Sequence, residues 1–396
     1  MGNTIVKDIV KRDFEDLKRD LDEGSIPEVA AKYQKSLNEM QNLPLNIAVT
    51  GQTGSGKSSF VNAFRGVSDD DDDTAAKVGP LEETMKPKAF PHPSFPNMKL
   101  WDLPGIGTPK FQATEYLKKV QFEKYDFFII IISIRLTEND AFLAKEIKRM
   151  GRKFYFVCSK IDASIQSEKR KGNFNMEKAL ETIRNYCKDN LKSLGEPSAR
   201  VFLISSWEVH MYDFPLLRET MAAELPEHKK NIFTLSVHIF SKNELMKKKE
   251  LMESYIKKVA WVSCVCGAVP VPGLSMACDI VILVDTLKYF CKVFGLDDQS
   301  LRFLAAQTGK EFKELKSAIK KTPLGNVIDA ELVFSLLTRS SIWVAVSLVE
   351  LALDFIPVIG SVFGGASSYV ITYRFLNSFL DDTLEDAQNV LAKFIE

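Results

Sequence analysis

The residues Gly51-x-x-x-x-Gly56-Lys57-Ser58 have the types and spacing that phosphate chemistry requires. Glycines at 51, 54 and 56 admit backbone angles that a β-carbon would block. Successive N–H groups, including those of Thr53, Ser55 and Ser59, can then curl round an oligophosphate at a helix N-terminus. Lys57 supplies an ammonium for the terminal phosphates, and the Ser58 hydroxyl a ligand for Mg²⁺. An apolar strand, Asn46 to Thr50, precedes the turn and a helix follows from near Lys57. That context separates a phosphate loop from a chance glycine turn.

Further along, Asp102-Leu-Pro-Gly105 sits at the end of the strand Met98–Asp102. An aspartate there can hold the Mg²⁺ shell indirectly, and a glycine N–H can contact a third phosphate. Ser159-Lys160-Ile161-Asp162 follows the strand Lys153–Cys158. GTP-binding chains carry [Asn/Thr]-Lys-x-Asp in this place. Its carboxylate accepts from the guanine N1–H and exocyclic amine, which adenine lacks, and the lysine stem packs on the base. Ser159 keeps the hydroxyl but shortens the reach. Asp162 thus favours GTP/GDP over ATP as the nucleotide. Ser205-Ser206, after Val201–Ile204, fall where a loop backbone touches the base. A metal-sensing threonine belongs between the phosphate loop and the next strand; Thr84 is the first candidate and Thr74 the second. Ile106 follows Gly105 where switch GTPases place a water-orienting glutamine, so isolated turnover is expected to be slow.

The elements that must position these groups alternate. Phe127–Ser133 is a continuous apolar run, as in a parallel strand buried on both faces. Helices are expected over Ser58–Arg65, Glu138–Met150 and Met176–Leu194, and a polar loop over 163–175. Asp69 to Asp73 is a run of like charge, read as a solvated loop. Before the first strand, two amphipathic helices are expected, over 5–22 and from Ser25 to Pro44. After Ser236 no strand pattern occurs. Asn243–Val259 is a basic helix with Lys247, Lys248 and Lys249 on a wet face. Val259–Cys278 carries no charge, but Gly267, Pro270, Pro272 and Gly273 break it, which favours a buried helix pair over a membrane span. Val269-Pro-Val-Pro-Gly273 and Ile356-Pro-Val-Ile-Gly360 look like matching corners. Amphipathic segments fill 296–321, and separate helices are expected over Ser361–Phe379 and Asp381–Glu396.

The 396 residues point to two or three domains. Lysine and arginine total 52 against 52 aspartates and glutamates, so no general pull toward nucleic acid arises. The six cysteines show no metal-ligand spacing, which fits buried thiols in a reducing, cytoplasmic setting. The start, Met1-Gly2-Asn3, has no secretory pattern. Gly2 is an N-myristoylation acceptor, with Val6 in place of the usual hydroxyl residue.

Taken together, Ile47 to Ser58, Trp101 to Gly107, Tyr125 to Ile130, Phe154 to Val157 and Tyr212-Asp-Phe-Pro215 resemble the interferon-inducible immunity-related GTPases, in the branch with Lys57 in the loop. The likeness is close over about 45–235. It implies a Ras-like P-loop GTPase domain with a mixed six-stranded sheet, over 45–225. It also implies an all-α helical domain built from both ends, 1–44 and 226–396. It implies GTP hydrolysis with Mg²⁺, dynamin-like self-assembly as a homo-oligomer across the nucleotide domains, association with related GTPases, and peripheral attachment to the membrane of pathogen-containing vacuoles. Glu82 takes the position of the family's catalytic glutamate, with Glu83 beside it; Val78 stands where some relatives carry threonine. Two other readings stay open from the residues: a monomeric GTP/GDP switch that recruits effectors, and an ATPase.

Overall fold

The computed structural model describes residues 26–71, 73–79, 86–106, 120–132, 134, 136–170, 172–196, 198–267, 274–323, 327–339 and 362–395. Gly2, the helix expected over 5–22, Glu82, Glu83, Thr84 and both proline-glycine corners lie outside them.

Six strands form one sheet: β1 (Leu45–Gly51), β2 (Lys88–Pro91), β3 (Met98–Asp102), β4 (Phe127–Ile132), β5 (Lys153–Cys158) and β6 (Val201–Leu203), in the order β2-β3-β1-β4-β5-β6. β2 runs antiparallel to β3 and every other pairing is parallel. The apolar run in β4 is buried at all six positions, as a central strand covered on both faces requires. β2 sits at the edge, where Pro91 loses no ladder bond.

Helices cover both faces. After α1 (Ile26–Asn42), α2 (Lys57–Arg65) follows the phosphate loop, and α3 (Glu138–Arg149) follows β4. α4 (Ile161–Glu168) and α5 (Met176–Ser193) lie between β5 and β6; α6 (Phe214–Glu224) and α7 (Glu227–Ser236) come after β6. Phe60 and Phe64 of α2 pack with Phe214 and Phe233 beneath β1 and β4. Leu143 and Ile147 of α3, Ile161 and Ile165 of α4, and Cys187 and Leu191 of α5 fill the opposite face.

α4 corrects the loop expected over 163–175. Lys160 adopts a left-handed φ of 60° and starts the helix, and Ile161 and Ile165, four apart, give it a buried stripe. The polar residues between them hide that stripe in a sequence reading.

The remaining helices among the described residues are α8 (Lys242–Gly267), α9 (Leu274–Val293), α10 (Asp298–Thr308), α11 (Phe312–Ser317), α12 (Ala330–Arg339) and α13 (Val362–Ile395). α13 is one 34-residue helix where the sequence suggested two. Neither glycine nor proline interrupts 366–395, and Thr383 satisfies its hydroxyl on the Phe379 carbonyl at 2.7 Å inside the turn. No helix among the described residues is long and apolar enough to cross a membrane.

The chain divides into two compact units. One holds 42–244, 298–318 and 390–396, and the other 1–41, 245–297 and 319–389. The sheet unit thus runs past 225–226 and takes in α7, α10 and α11 as well. Arg218 accounts for part of this: it is buried, paired with Glu244 at 2.9 Å, and donates to the His238 carbonyl at 3.2 Å. The helical unit draws on both ends of the chain. Tyr33 of α1 stacks on Trp261 of α8 at 5.2 Å, and Gln41 donates to the Tyr255 hydroxyl at 2.7 Å. Lys248, expected on a wet face, is instead buried, and its ammonium donates to the Val293 carbonyl at the end of α9 at 2.6 Å. An exposed C-terminal carbonyl of a helix is a good acceptor for a cation, and the lysine stem is long enough to reach it through apolar neighbours.

Candidate functional site

β1 delivers the chain to the phosphate loop at Gly51, whose φ is 138°. A β-carbon there would lie 2.1 Å from the Ile131 carbonyl oxygen of β4, so only glycine fits the close strand approach. Gly54 and Gly56 also have positive φ, 77° and 94°. Gly56 is the N-cap of α2 and offers no side chain to its first amides, which leaves a helix N-terminus open to an anion. Lys57 is buried, with its ammonium donating to the Gln52 carbonyl at 2.8 Å across the mouth of the loop. Thr53 packs against Gly105, where an added β-carbon would meet the threonine hydroxyl at 2.1 Å. Ile106 donates its N–H to the Gly51 carbonyl at 3.2 Å, so Asp102-Leu-Pro-Gly105 runs alongside the loop.

Ser58, at the start of α2, donates its hydroxyl to the Asp102 carboxylate at 2.7 Å. Two hard oxygen groups from separate elements thus converge. That donor set suits Mg²⁺, which binds through few protein oxygens and keeps several waters. Among the described residues no group of three or more His, Cys, Asp or Glu converges as a metal cage. Thr74, the second threonine candidate, spends its hydroxyl on Asp71 at 2.9 Å. Arg65 anchors the same loop by donating to the Thr74 carbonyl at 3.1 Å. Hydrogen bonds from the Thr74 N–H and hydroxyl hold the Asp71 carboxyl below its usual range. Thr74 is therefore committed to the acidic loop rather than to the phosphate site, and Thr84 remains the threonine assigned from sequence.

The base-recognition tetrad is tied directly to the phosphate loop. Ser159 donates its hydroxyl to the Ser55 carbonyl at 2.5 Å, so the shorter side chain still makes the bridge. Lys160 donates to the Gly54 carbonyl at 2.9 Å, which pins its stem as a floor. Asp162 lies in the first turn of α4, half-buried. Ile161 donates its N–H to the Ile204 carbonyl at 3.1 Å, which sets the Ser205–Ser206 loop next to the tetrad. The Ser205 hydroxyl accepts from the N–H groups of Trp207 and Glu208 at 3.1 and 3.2 Å and closes a tight turn.

One tie was not legible from spacing. The Gln52 amide donates to the Thr137 hydroxyl at 2.6 Å and to the Asp140 carboxylate at 3.2 Å. Thr137 and Asp140 form the capping box of α3, so a variable position of the loop motif is fastened to the next helix. Burial pushes the Asp140 carboxyl up, against hydrogen bonds from Thr137 and Gln52. The residues are 85 and 88 positions apart in the chain, beyond any local pattern.

A cavity of about 960 Å³ opens behind Gly54 and Ser55, between Ile134, α4 and the start of α5, with Ser159 and Lys160 in its wall. Gly54 and Ser55 of the phosphate loop and Ser159 and Lys160 of the tetrad line it, so it borders the nucleotide site.

The family model for interferon-inducible GTPases matches residues 10–394. The chain is 38% identical to interferon-inducible GTPase 5 of Rattus norvegicus over 98% of its own length and 84% of that protein's. The same protein of Bos taurus is 38% identical over 98% and 83%. Interferon-gamma-inducible GTPase 10 of Mus musculus is 37% identical over 98% and 90%. With a P-loop bridged to a guanine tetrad and likeness along nearly its whole length, the chain belongs to the interferon-inducible GTPase family and is a GTP-binding protein.

Proposed function

We propose that this chain hydrolyses GTP to GDP and phosphate slowly by itself and faster when copies meet, and that it acts by self-assembly at membranes enclosing intracellular pathogens. The observation that carries the reading is Ile106. It is 2% exposed, its N–H is used on the Gly51 carbonyl, and its side chain is hydrocarbon. A residue of this kind cannot orient an attacking water where switch GTPases use glutamine. The missing group must come from elsewhere, and Glu82 of this chain, placed by a second copy, is the assigned base or water-positioning residue.

The phosphates rest on the amides from Thr53 to Ser59, with Lys57 leaving the Gln52 carbonyl to meet them. Mg²⁺, when bound, neutralises charge on the phosphate oxygens; Ser58 would hold it directly, Asp102 through water, and Thr84 would complete its shell. Asp162, Lys160 and the Ser205–Ser206 backbone select guanine. For the membrane, a Gly2 acyl chain is assigned as one anchor. A single myristoyl chain binds only marginally, so a second contribution from assembled copies is required.

Turnover per molecule measured against protein concentration, with and without anionic lipid vesicles, tests this. Wild type should rise with concentration, and Glu82→Ala should show flat, low turnover with GDP binding intact. Vesicle binding should fall in Gly2→Ala. Flat turnover in wild type would leave the monomeric effector-recruiting switch as the better reading, and unchanged turnover in Glu82→Ala would remove that residue from the mechanism.

A further inference from the structure

The loop leaving β6 is fastened at both ends and carries an indole at its crest. At one end, Ser205 is buried and its hydroxyl binds the Trp207 and Glu208 amides. At the other, Asp213 is gripped by Arg184 through two bonds, 2.6 and 3.1 Å, and accepts the Leu203 N–H at 2.8 Å. Val209, in between, is buried and donates its N–H to the Gln307 side chain at 3.1 Å. Tyr212 takes a left-handed φ of 51°, a conformation that costs a tyrosine energy and marks an over-determined loop. Burial, with the negative charges of Glu208 and Asp162 adding to it, pushes its hydroxyl up to about 12. The loop is therefore held from both ends and from within.

Against this rigid frame Trp207 is 69% exposed, the most exposed large apolar side chain among the described residues. The other described tryptophans are packed: Trp101 edge-on to Tyr125 at 5.7 Å, and Trp261 stacked on Tyr33. An indole left in water on an anchored turn, one residue past the base-contacting serines, is placed to cover a flat ligand. Lys160 donates to the Gly54 carbonyl, and the N–H of the next residue, Ile161, donates to the Ile204 carbonyl just before this loop at 3.1 Å.

We propose that Trp207 is a base-binding residue that stacks on the exposed face of guanine, so that the base is held between the Lys160 stem and the indole. This rests on the guanine-nucleotide reading of the same site. Stacking on an aromatic face is indifferent to hydrogen-bonding pattern, so Trp207 adds affinity and residence time while Asp162 supplies the choice of base.

The test is GDP and IDP binding by calorimetry, together with intrinsic fluorescence, on the full chain. Wild type should bind GDP with a change in tryptophan emission that Trp207→Phe abolishes, although Trp101, Trp261 and Trp343 remain. Trp207→Ala should raise the Kd for GDP and for IDP by the same factor, at least about fivefold. Trp207→Phe should stay within about threefold of wild type, because a phenyl ring still stacks. The Tm of ligand-free Trp207→Ala should be unchanged, since an exposed indole contributes little to folding. If wild type binds GDP but Trp207→Ala binds it equally well, or emission does not respond, stacking is overturned and the guanine reading stands. If wild type itself binds no GDP, the guanine reading fails first.

Discussion

At the scale of single residues, the site is a set of side chains that restrain backbone carbonyls. Lys57 holds the Gln52 carbonyl, Lys160 the Gly54 carbonyl and Ser159 the Ser55 carbonyl. Replacing Lys57 by alanine removes a charge-assisted bond to phosphate, a loss of roughly 1.5–3 kcal/mol. The Kd for GTP should therefore rise about ten- to a hundredfold in a calorimetric titration. Asp140 gives a pH signature. Its folded carboxyl is raised above the usual 3.8 by burial, so the folded state keeps the proton to higher pH than the unfolded chain does. This group's contribution to stability is then greatest in acid and is lost as pH rises through the folded value. Asp140→Asn stays neutral throughout, so in urea unfolding it should gain on wild type as pH is raised from acid toward neutral. The glycines, Lys57 and Asp162 could be read in advance because their chemistry is local and their order along the chain is constrained. The Gln52–Asp140 tie could not, because it joins separate motifs through the fold.

At the scale of elements, buried polar side chains decide several ends and joints. Asp386 of α13 is fully buried and accepts the N–H groups of Lys320, Lys321 and Thr322 at 2.9, 2.9 and 2.6 Å. It supplies acceptors for three successive N–H groups in the connection between α11 and α12. Asp386→Ala would leave those donors without that acceptor, the Thr322 N–H in particular inside the fold. It should cost about 2–4 kcal/mol, read as a lower urea midpoint at an unchanged slope. Such joints explain where sequence reading of the elements succeeds and fails. Strands β1, β3, β4 and β5 announce themselves as apolar runs ending in motif residues. Lys248 and α4 do not, because a buried lysine looks like a wet one until its carbonyl partner is known, and two isoleucines four apart are too few to outweigh polar neighbours. α13 reads as two helices because Asp381 and Asp382 suggest a fresh start, whereas both lie within one continuous helix.

At the scale of the whole molecule, the borders of the sheet bear on the proposed meeting of copies. Its two outer strands are brief: β2 has four residues and ends in Pro91, and β6 has three. Short borders, one closed by an imino acid, give little template for main-chain pairing with a neighbour. If copies join as proposed, the joining is thereby left to loops and helix surfaces. Polymers built that way should dissolve when phosphate leaves, rather than harden into cross-β fibres that no hydrolysis could undo.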